Sequence, residues 1–315
     1  MLIEVDAKTY YGLFQDNPHP YISSGFIELN KEKADKIVYL VESESKSSFG
    51  LVAGIKNSIL KSPFSAPFGG FHFRKDNQYI NEIESFVLKL KEYGIQNNLE
   101  KIEITLAPDI YQLSFNSKCV NSLIRMGFNL QIPEITNWLD LESFSGSFTN
   151  KGARKYYNQA VRNHLRFEVL KGQKNQQEAY NIICENRARY GRPIFMTYQD
   201  VIETSNLWPV DFFGIFDLSN TIVAAGVFYR GHLSIIQGVF WGDSEIGRPL
   251  RAIDFLSYSI WNFYKNNGYK IIDLGISTEE GIPNEGLLRF KESHNCNSSL
   301  RLTFNWVNKN LDDKV

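Results

Sequence analysis

Cysteine is nearly absent. The 315 residues hold three, Cys119, Cys184 and Cys296, far apart and odd in number, so no disulfide framework is expected. None belongs to a C-x-x-C pair, which removes the usual zinc spacing, and such a chain suits a reducing compartment. The five histidines form no i, i+4 pair and no H-E-x-x-H, so no metal site is expected. Long apolar runs are lacking too. The longest clean one, residues 222–228, falls far short of the ~20 residues a membrane-spanning helix needs. The start, MLIEVDAKTYYGLF, shows no basic region leading into an apolar core, so no signal peptide is expected. Neither charge sign dominates: 34 basic against 35 acidic residues give −1, which leaves no global field for nucleic acid or an anionic membrane. Residues 275–279 read Gly-Ile-Ser-Thr-Glu, and the final Glu excludes the G-x-S-x-G elbow of a serine hydrolase there. These absences lead to the expectation of a soluble, cytoplasmic protein.

What is present suffices for two cores. Hydrophobic residues make up 43% and charged residues 22%, and the length matches two domains of roughly 150 residues. A Ser- and Gly-rich stretch, ESFSGSFTN at 142–150, marks the expected boundary, giving domains at 1–145 and 146–315. In the first, strands at 36–41 and 49–56 flank a polar hairpin at 42–48. An amphipathic helix follows at 81–96, then a strand at 99–106, a helix closing at Gly127 and a last strand at 132–141. In the second, a helix at 151–163, a strand at 165–170 and helices at 176–190 and 198–205 precede a meander at 212–216, 221–229 and 233–241. A helix at 248–267 comes next, opening near Pro249. Both halves thus read helix, strand, helix, strand after their meanders, a weak internal duplication of one α/β unit.

The most informative stretch is 268–304. A short apolar strand at 270–274 runs into a polar loop at 277–284, where Asn284 is placed to cap a helix carrying Leu287, Leu288, Phe290 and Lys291. An alternating run at 299–306 returns as a strand. Polar residues gathered at the end of a buried strand are a common setting for ligand sites in α/β sheets, though they equally make a plain loop. Another irregular stretch, SPFSAPFGGF at 62–71, combines two prolines with Phe64, Phe68 and Phe71, which must pack on something or bind something.

On these residues the chain resembles the GNAT-like acyltransferases in the doubled-domain form shared with Fem-type aminoacyl transferases. The motifs that carry the resemblance are DLGIST (273–278), PNEGLLRFKE (283–292), RARYGRPIFMT (187–197), APFGGF (66–71) and ARKYYNQAVRNHLRFEV (153–169). The resemblance implies two tandem α/β domains of GNAT type, each a mixed sheet flanked by helices, with a groove between them. It implies transfer of an acyl or aminoacyl group to an amine. Two departures stand out. The coenzyme A pattern Q/R-x-x-G-x-G/A is replaced at 247–252 by Gly-Arg-Pro-Leu-Arg-Ala, and Ser293-His294-Asn295 stands where a Gly usually follows the final helix. Asn295 is expected to supply the left-handed cap in its place.

The candidate residues follow. Gly247, Arg248 and Arg251 are expected to hold the pyrophosphate of an acyl-coenzyme A, most simply acetyl-coenzyme A, at a helix start; a solvated pair of arginines is the alternative. Trp241 and Tyr258 are expected to wall an acyl channel or to be core. Asp273 and Glu279 are candidates to take the amine's proton, Asp273 alternatively serving loop amides, and Lys291 to hold an acyl or carboxylate oxygen or to lie on the surface. Phe68, Gly69 and Gly70, facing Ser277 and Asn284, are expected to contact an acceptor, a small amine or amino sugar. Arg154, Asn158, Arg162 and Arg166 recur every fourth residue and suit a phosphorylated cofactor, a tRNA backbone or water. Donor choice separates three readings: coenzyme A for an N-acetyltransferase, charged tRNA for a Fem-type transferase, neither for a glycan- or peptide-binding protein.

Overall fold

A computed structural model describes residues 1–15, 18–43, 49–74, 79–192, 194 and 196–309. Most of the hairpin expected at 42–48 lies outside these residues, as do Pro193 and Phe195 of the RARYGRPIFMT motif. The described chain builds two mixed sheets flanked by helices, the doubled α/β architecture expected. Among the described residues, no helix is long and apolar enough to cross a membrane.

The same order of elements recurs. In the first unit Lys36–Glu42, Phe49–Lys56 and Ile59–Ser62 form an antiparallel meander. Helix Ile80–Gln96 then crosses over, and Lys101–Thr105 lies parallel to Ile59–Ser62. In the second unit Val210–Phe216, Ile222–Tyr229 and Ile235–Asp243 form the meander. Helix Ala252–Asn266 crosses over, and Ile271–Ile276 lies parallel to the start of Ile235–Asp243. Hydrophobic spacing dictates these elements. Ile83, Phe86, Val87, Leu90 and Tyr93 fall on one face of a 3.6-residue helix, and all five are buried. Ile222–Tyr229 is apolar at nearly every position because, as a central strand, it is covered on both faces.

The expected domain boundary changes. Compact packing divides the chain into Met1–Glu134 with the segment from Leu300 onward, and Ile135–Ser299. The strand Glu134–Asp140, expected to finish the first domain, instead pairs with Ile271–Ile276 in the second sheet. The run expected as one final strand is two. Asn297–Arg301 joins the second sheet beside Glu134–Asp140, and Thr303–Val307 enters the first sheet between Lys101–Thr105 and Asn129–Leu130. Alternation of side chains marks a strand but not which sheet it joins, so neither exchange could be read from pattern. The helix expected from 248 begins at Ala252, with Pro249 in the turn before it. Helix Lys151–Arg162 stops before Arg166, which lies on the next strand, so the fourfold repeat of polar residues does not continue on one helical face.

Candidate functional site

The second unit opens around one strand. Ile235–Asp243 keeps its parallel partner only through Gln237, paired with Asp273, while its other edge stays hydrogen-bonded to Ile222–Tyr229. Val239 is an extra residue in that ladder, since Val227 opposes Phe240 and Phe228 opposes Gly238. A bulge of this kind bends and twists its strand. The two parallel strands therefore part, and beyond Gln237 the edge toward Ile271–Ile276 lacks a strand partner among the described residues.

At the far end of this strand lies a cavity of about 520 Å³, lined by Trp241, Gly242 and Asp243 and by the starts of helices Lys151–Arg162 and Ala252–Asn266. Helix Glu285–Ser293 and the end of Gln173–Arg189 complete it. Three arginines line it: Arg248, Arg251 and Arg289. Aromatic rings hold two of them. The Arg248 guanidinium donates to the Tyr190 hydroxyl at 2.7 Å and lies 5.6 Å from that ring. Arg251 lies 3.8 Å from the Tyr156 ring centroid, a cation–π contact. Asp243 is buried and accepts from the Asn186 side chain at 2.8 Å, with an Arg189 nitrogen 3.9 Å away. Burial raises its pKa, while Arg189 and Arg248 oppose that rise.

Of the expected donor-binding residues, Trp241, Arg248 and Arg251 meet in this cavity. Gly247 is buried beside it, but its amide donates to the Ser244 hydroxyl at 3.1 Å and is not free for a phosphate. Tyr258 does not line the cavity. Its ring stacks on Tyr157 at 3.9 Å and meets Phe148 edge-on, which makes it part of the core.

Arg251 takes a backbone conformation that sequence reasoning did not foresee. It caps helix Ala252–Asn266 in the left-handed region, at φ 61°, a conformation that costs residues with a Cβ about 1 kcal/mol. Arg251→Gly and Arg251→Ala both remove the guanidinium, but only Gly relieves the backbone. The Gly variant should melt about 2–4 °C above the Ala variant in thermal denaturation. Equal melting would show that this backbone carries no strain.

The expected catalytic group lies elsewhere. Lys291 is 1% exposed, so the surface reading fails. Its ammonium donates to the carbonyls of Leu274, Gly275 and Ile276 at 3.0, 2.9 and 3.0 Å, which occupies all three of its protons. These carbonyls follow Asp273, the last residue paired to Ile235–Asp243, so Lys291 satisfies part of the strand end left open by the splay. Burial pulls its pKa down to about 8. Asp273 is also buried and accepts the Gly275 amide at 2.9 Å. Glu279 is exposed on the small hairpin of Thr278–Glu279 and Ile282–Pro283, 3.9 Å from Arg192. None of the three lines the cavity.

The expected acceptor contacts are structural in their local settings. Asn284 caps helix Glu285–Ser293 by accepting the Leu287 amide, as its position predicted. The Ser277 hydroxyl donates to Asn137 and its amide to the Ile135 carbonyl. In the first unit Phe68 is buried against His19, Tyr21 and Tyr111. The Gly69 amide donates to Thr105 at 2.8 Å and the Gly70 amide to the Ser62 hydroxyl at 3.1 Å. The aromatic loop thus packs rather than presenting its rings.

Among the cavity residues that sequence reasoning did not bring to the site are Asp254 and His294. They are 40 positions apart, and no spacing rule joins them.

No protein-family model matches the chain, and no curated protein sequence matches it. Solved structures do. FemX aligns over 100% of this chain and 99% of its own, with a TM-score of 0.69 at 9% identity. L-PGS from Bacillus licheniformis aligns over 98% and 93%, with 0.58 at 14%. A tandem GNAT protein from the clavulanic acid biosynthesis pathway aligns over 98% of both, with 0.57 at 8%. The chain therefore has the doubled GNAT-like fold of the Fem type. At such identities the likeness speaks for the fold alone.

Proposed function

We propose that the chain is an N-acyltransferase that moves an acyl group, most simply acetyl, from an acyl-coenzyme A to an amine on a small molecule or amino sugar. The observation that carries this reading is the splayed strand Ile235–Asp243, whose free edge leads into a cavity bearing three arginines. Arg248, Arg251 and Arg289 suit the phosphates, since guanidinium groups bind such oxygens in pairs. The free amides and carbonyls of the strand edge suit the amide-bearing arm of the donor. Amides beside the Val239 bulge are fixed dipoles able to stabilise the oxyanion formed when an amine attacks a thioester carbonyl. Holding both reactants in place supplies much of the rate, so no enzyme nucleophile is required. With its three protons engaged by backbone, Lys291 shapes the splay in this reading rather than touching the reacting atoms.

A second reading has an observation of its own. Helix Lys151–Arg162 contains Lys151, Arg154, Lys155 and Arg162, all exposed, and no acidic residue. A phosphate backbone suits that face, which favours an aminoacyl-tRNA donor despite the net charge of −1. Either donor places the reaction in the cytoplasm.

Calorimetry with acetyl-coenzyme A and a gel-shift titration with charged tRNA separate the two. On the first reading acetyl-coenzyme A binds, and the double variant Arg248→Ala, Arg251→Ala weakens it about 10- to 100-fold, the loss expected for charge-assisted hydrogen bonds of roughly 1.5–3 kcal/mol. Binding of tRNA alone selects the second reading. Binding of neither overturns both and leaves a non-catalytic protein.

A further inference from the structure

The floor of the cavity differs from its arginines. Asp254 and His294 both line it, yet they are only 4% and 2% exposed. The His294 ring is held on every side. It stacks on Phe290 at 3.9 Å and meets Phe148 at 4.6 Å, while its own carbonyl accepts the Trp261 indole N–H at 3.2 Å. The chain then leaves the helix through Asn295, in the left-handed region at φ 69°, with the Cys296 amide bonded back to the Lys291 carbonyl. Imidazole Nδ1 lies 2.7 Å from the Phe290 carbonyl oxygen, a separation that requires the proton on Nδ1. Nε2 lies 3.1 Å from Asp254 Oδ1, and because Nδ1 already carries a proton this contact needs a second one shared by the pair, which fixes that oxygen. Oδ2 has no hydrogen-bond or ion-pair partner among the described residues. Asp254 lines the cavity, so this oxygen is open to a hydrogen-bond donor bound there.

We infer that Asp254, positioned by His294, is a nucleoside-recognition site, accepting a hydrogen bond from the exocyclic base amine of a nucleotide whose phosphates rest on the arginines. The inference rests on the phosphate-bearing donor proposed above and deepens it. Charge sets the polarity. The floor offers phosphate no cation of its own, only buried Asp243 and the Asp254–His294 pair, whereas Arg248 and Arg289 are exposed and Arg251 is half-buried. A neutral donor of hydrogen bonds is welcome where an anion is not. Trp241 and Phe290, 5.5 Å apart and both lining the cavity, add flat apolar surface for a base. The volume of about 520 Å³ lies within the range of small-ligand sites.

Calorimetry on the full chain with inorganic pyrophosphate and with ADP tests the inference. The native protein should bind ADP at least tenfold more tightly than pyrophosphate. Asp254→Asn should erase most of that advantage while pyrophosphate affinity stays within twofold. His294→Gln, whose amide still donates to Asp254, should keep most of the ADP advantage, whereas His294→Leu should lose it at comparable melting. ADP binding no tighter than pyrophosphate overturns the nucleoside site and leaves the phosphate reading standing. Failure of pyrophosphate itself to bind removes the phosphate reading and this site together. Should Asp254→Asn not fold, the comparison of the two ligands on native protein still decides the question.

Discussion

Lys291→Met should lower the melting temperature by about 5–10 °C. Methionine keeps the apolar stem but leaves the carbonyls of Leu274, Gly275 and Ile276 without their donor in a buried place. Each such loss costs on the order of 1–3 kcal/mol. Against this stands the relief of an ammonium whose pKa has dropped from 10.5 to about 8, worth roughly 3 kcal/mol at 1.36 per unit. The net is destabilising by a few kcal/mol, and about 2–4 °C follows from each in a domain of this size. The pH dependence carries the sign of the depressed pKa. Between about 8 and the unfolded value near 10.4, the unfolded chain binds more protons, so the native protein gains stability as pH rises through that window. The gap between native and variant should widen there. Melting of both proteins from pH 7 to pH 10 checks it, and a variant as stable as the native protein at every pH would contradict the buried role.

Gly247→Ala should be at least as damaging, by about 3 kcal/mol or more. A Cβ at this position would sit 2.0 Å from the Val223 carbonyl oxygen and 2.9 Å from its carbon. Those atoms belong to a fully buried central strand, and the same oxygen already accepts the Ser244 amide at 2.9 Å. Neither side can yield cheaply, and overpacking of this kind costs roughly 1–3 kcal/mol even where side chains can move. The turn it distorts carries Arg248 and Arg251. Ligand affinity at the cavity should therefore fall together with stability, in contrast to the arginine variants, which should melt near the native temperature. Normal melting of Gly247→Ala in a denaturation scan would show that the turn has room.

Much of the fold was legible in the sequence because its elements obey simple periods. The helix face from Ile83 to Tyr93, the strand Phe49–Lys56, the Asn284 cap and the left-handed Asn295 all follow from local chemistry. Sheet membership did not, because Glu134–Asp140 and Thr303–Val307 alternate as any strand does and their partners are distant in sequence. The site was legible only in part. Trp241, Arg248 and Arg251 stand within eleven residues of one another at a strand-to-helix turn, which sequence reasoning can find. Lys291 was found in its motif but given the wrong surroundings, since nothing local says that a strand end needs its protons. Asp254 and His294 required the packing of two helices to meet.

The late strand Thr303–Val307 has a consequence for the order in which the chain can fold. Its partner Thr105 lies 198 residues earlier, and joining ends across so long a flexible loop costs on the order of 5 kcal/mol of chain entropy. The intervening unit reduces that cost. Its two ends run on neighbouring strands, Glu134–Asp140 and Asn297–Arg301, linked by the Asn137 side chain to Ser298 at 3.0 Å. Once Ile135–Ser299 has folded, residues 134 and 300 are tethered close together, and the effective loop shrinks to a short connection. The continuous unit, once folded, thus acts as an entropic clamp that lowers the cost of adding an inner strand to the sheet of the discontinuous one.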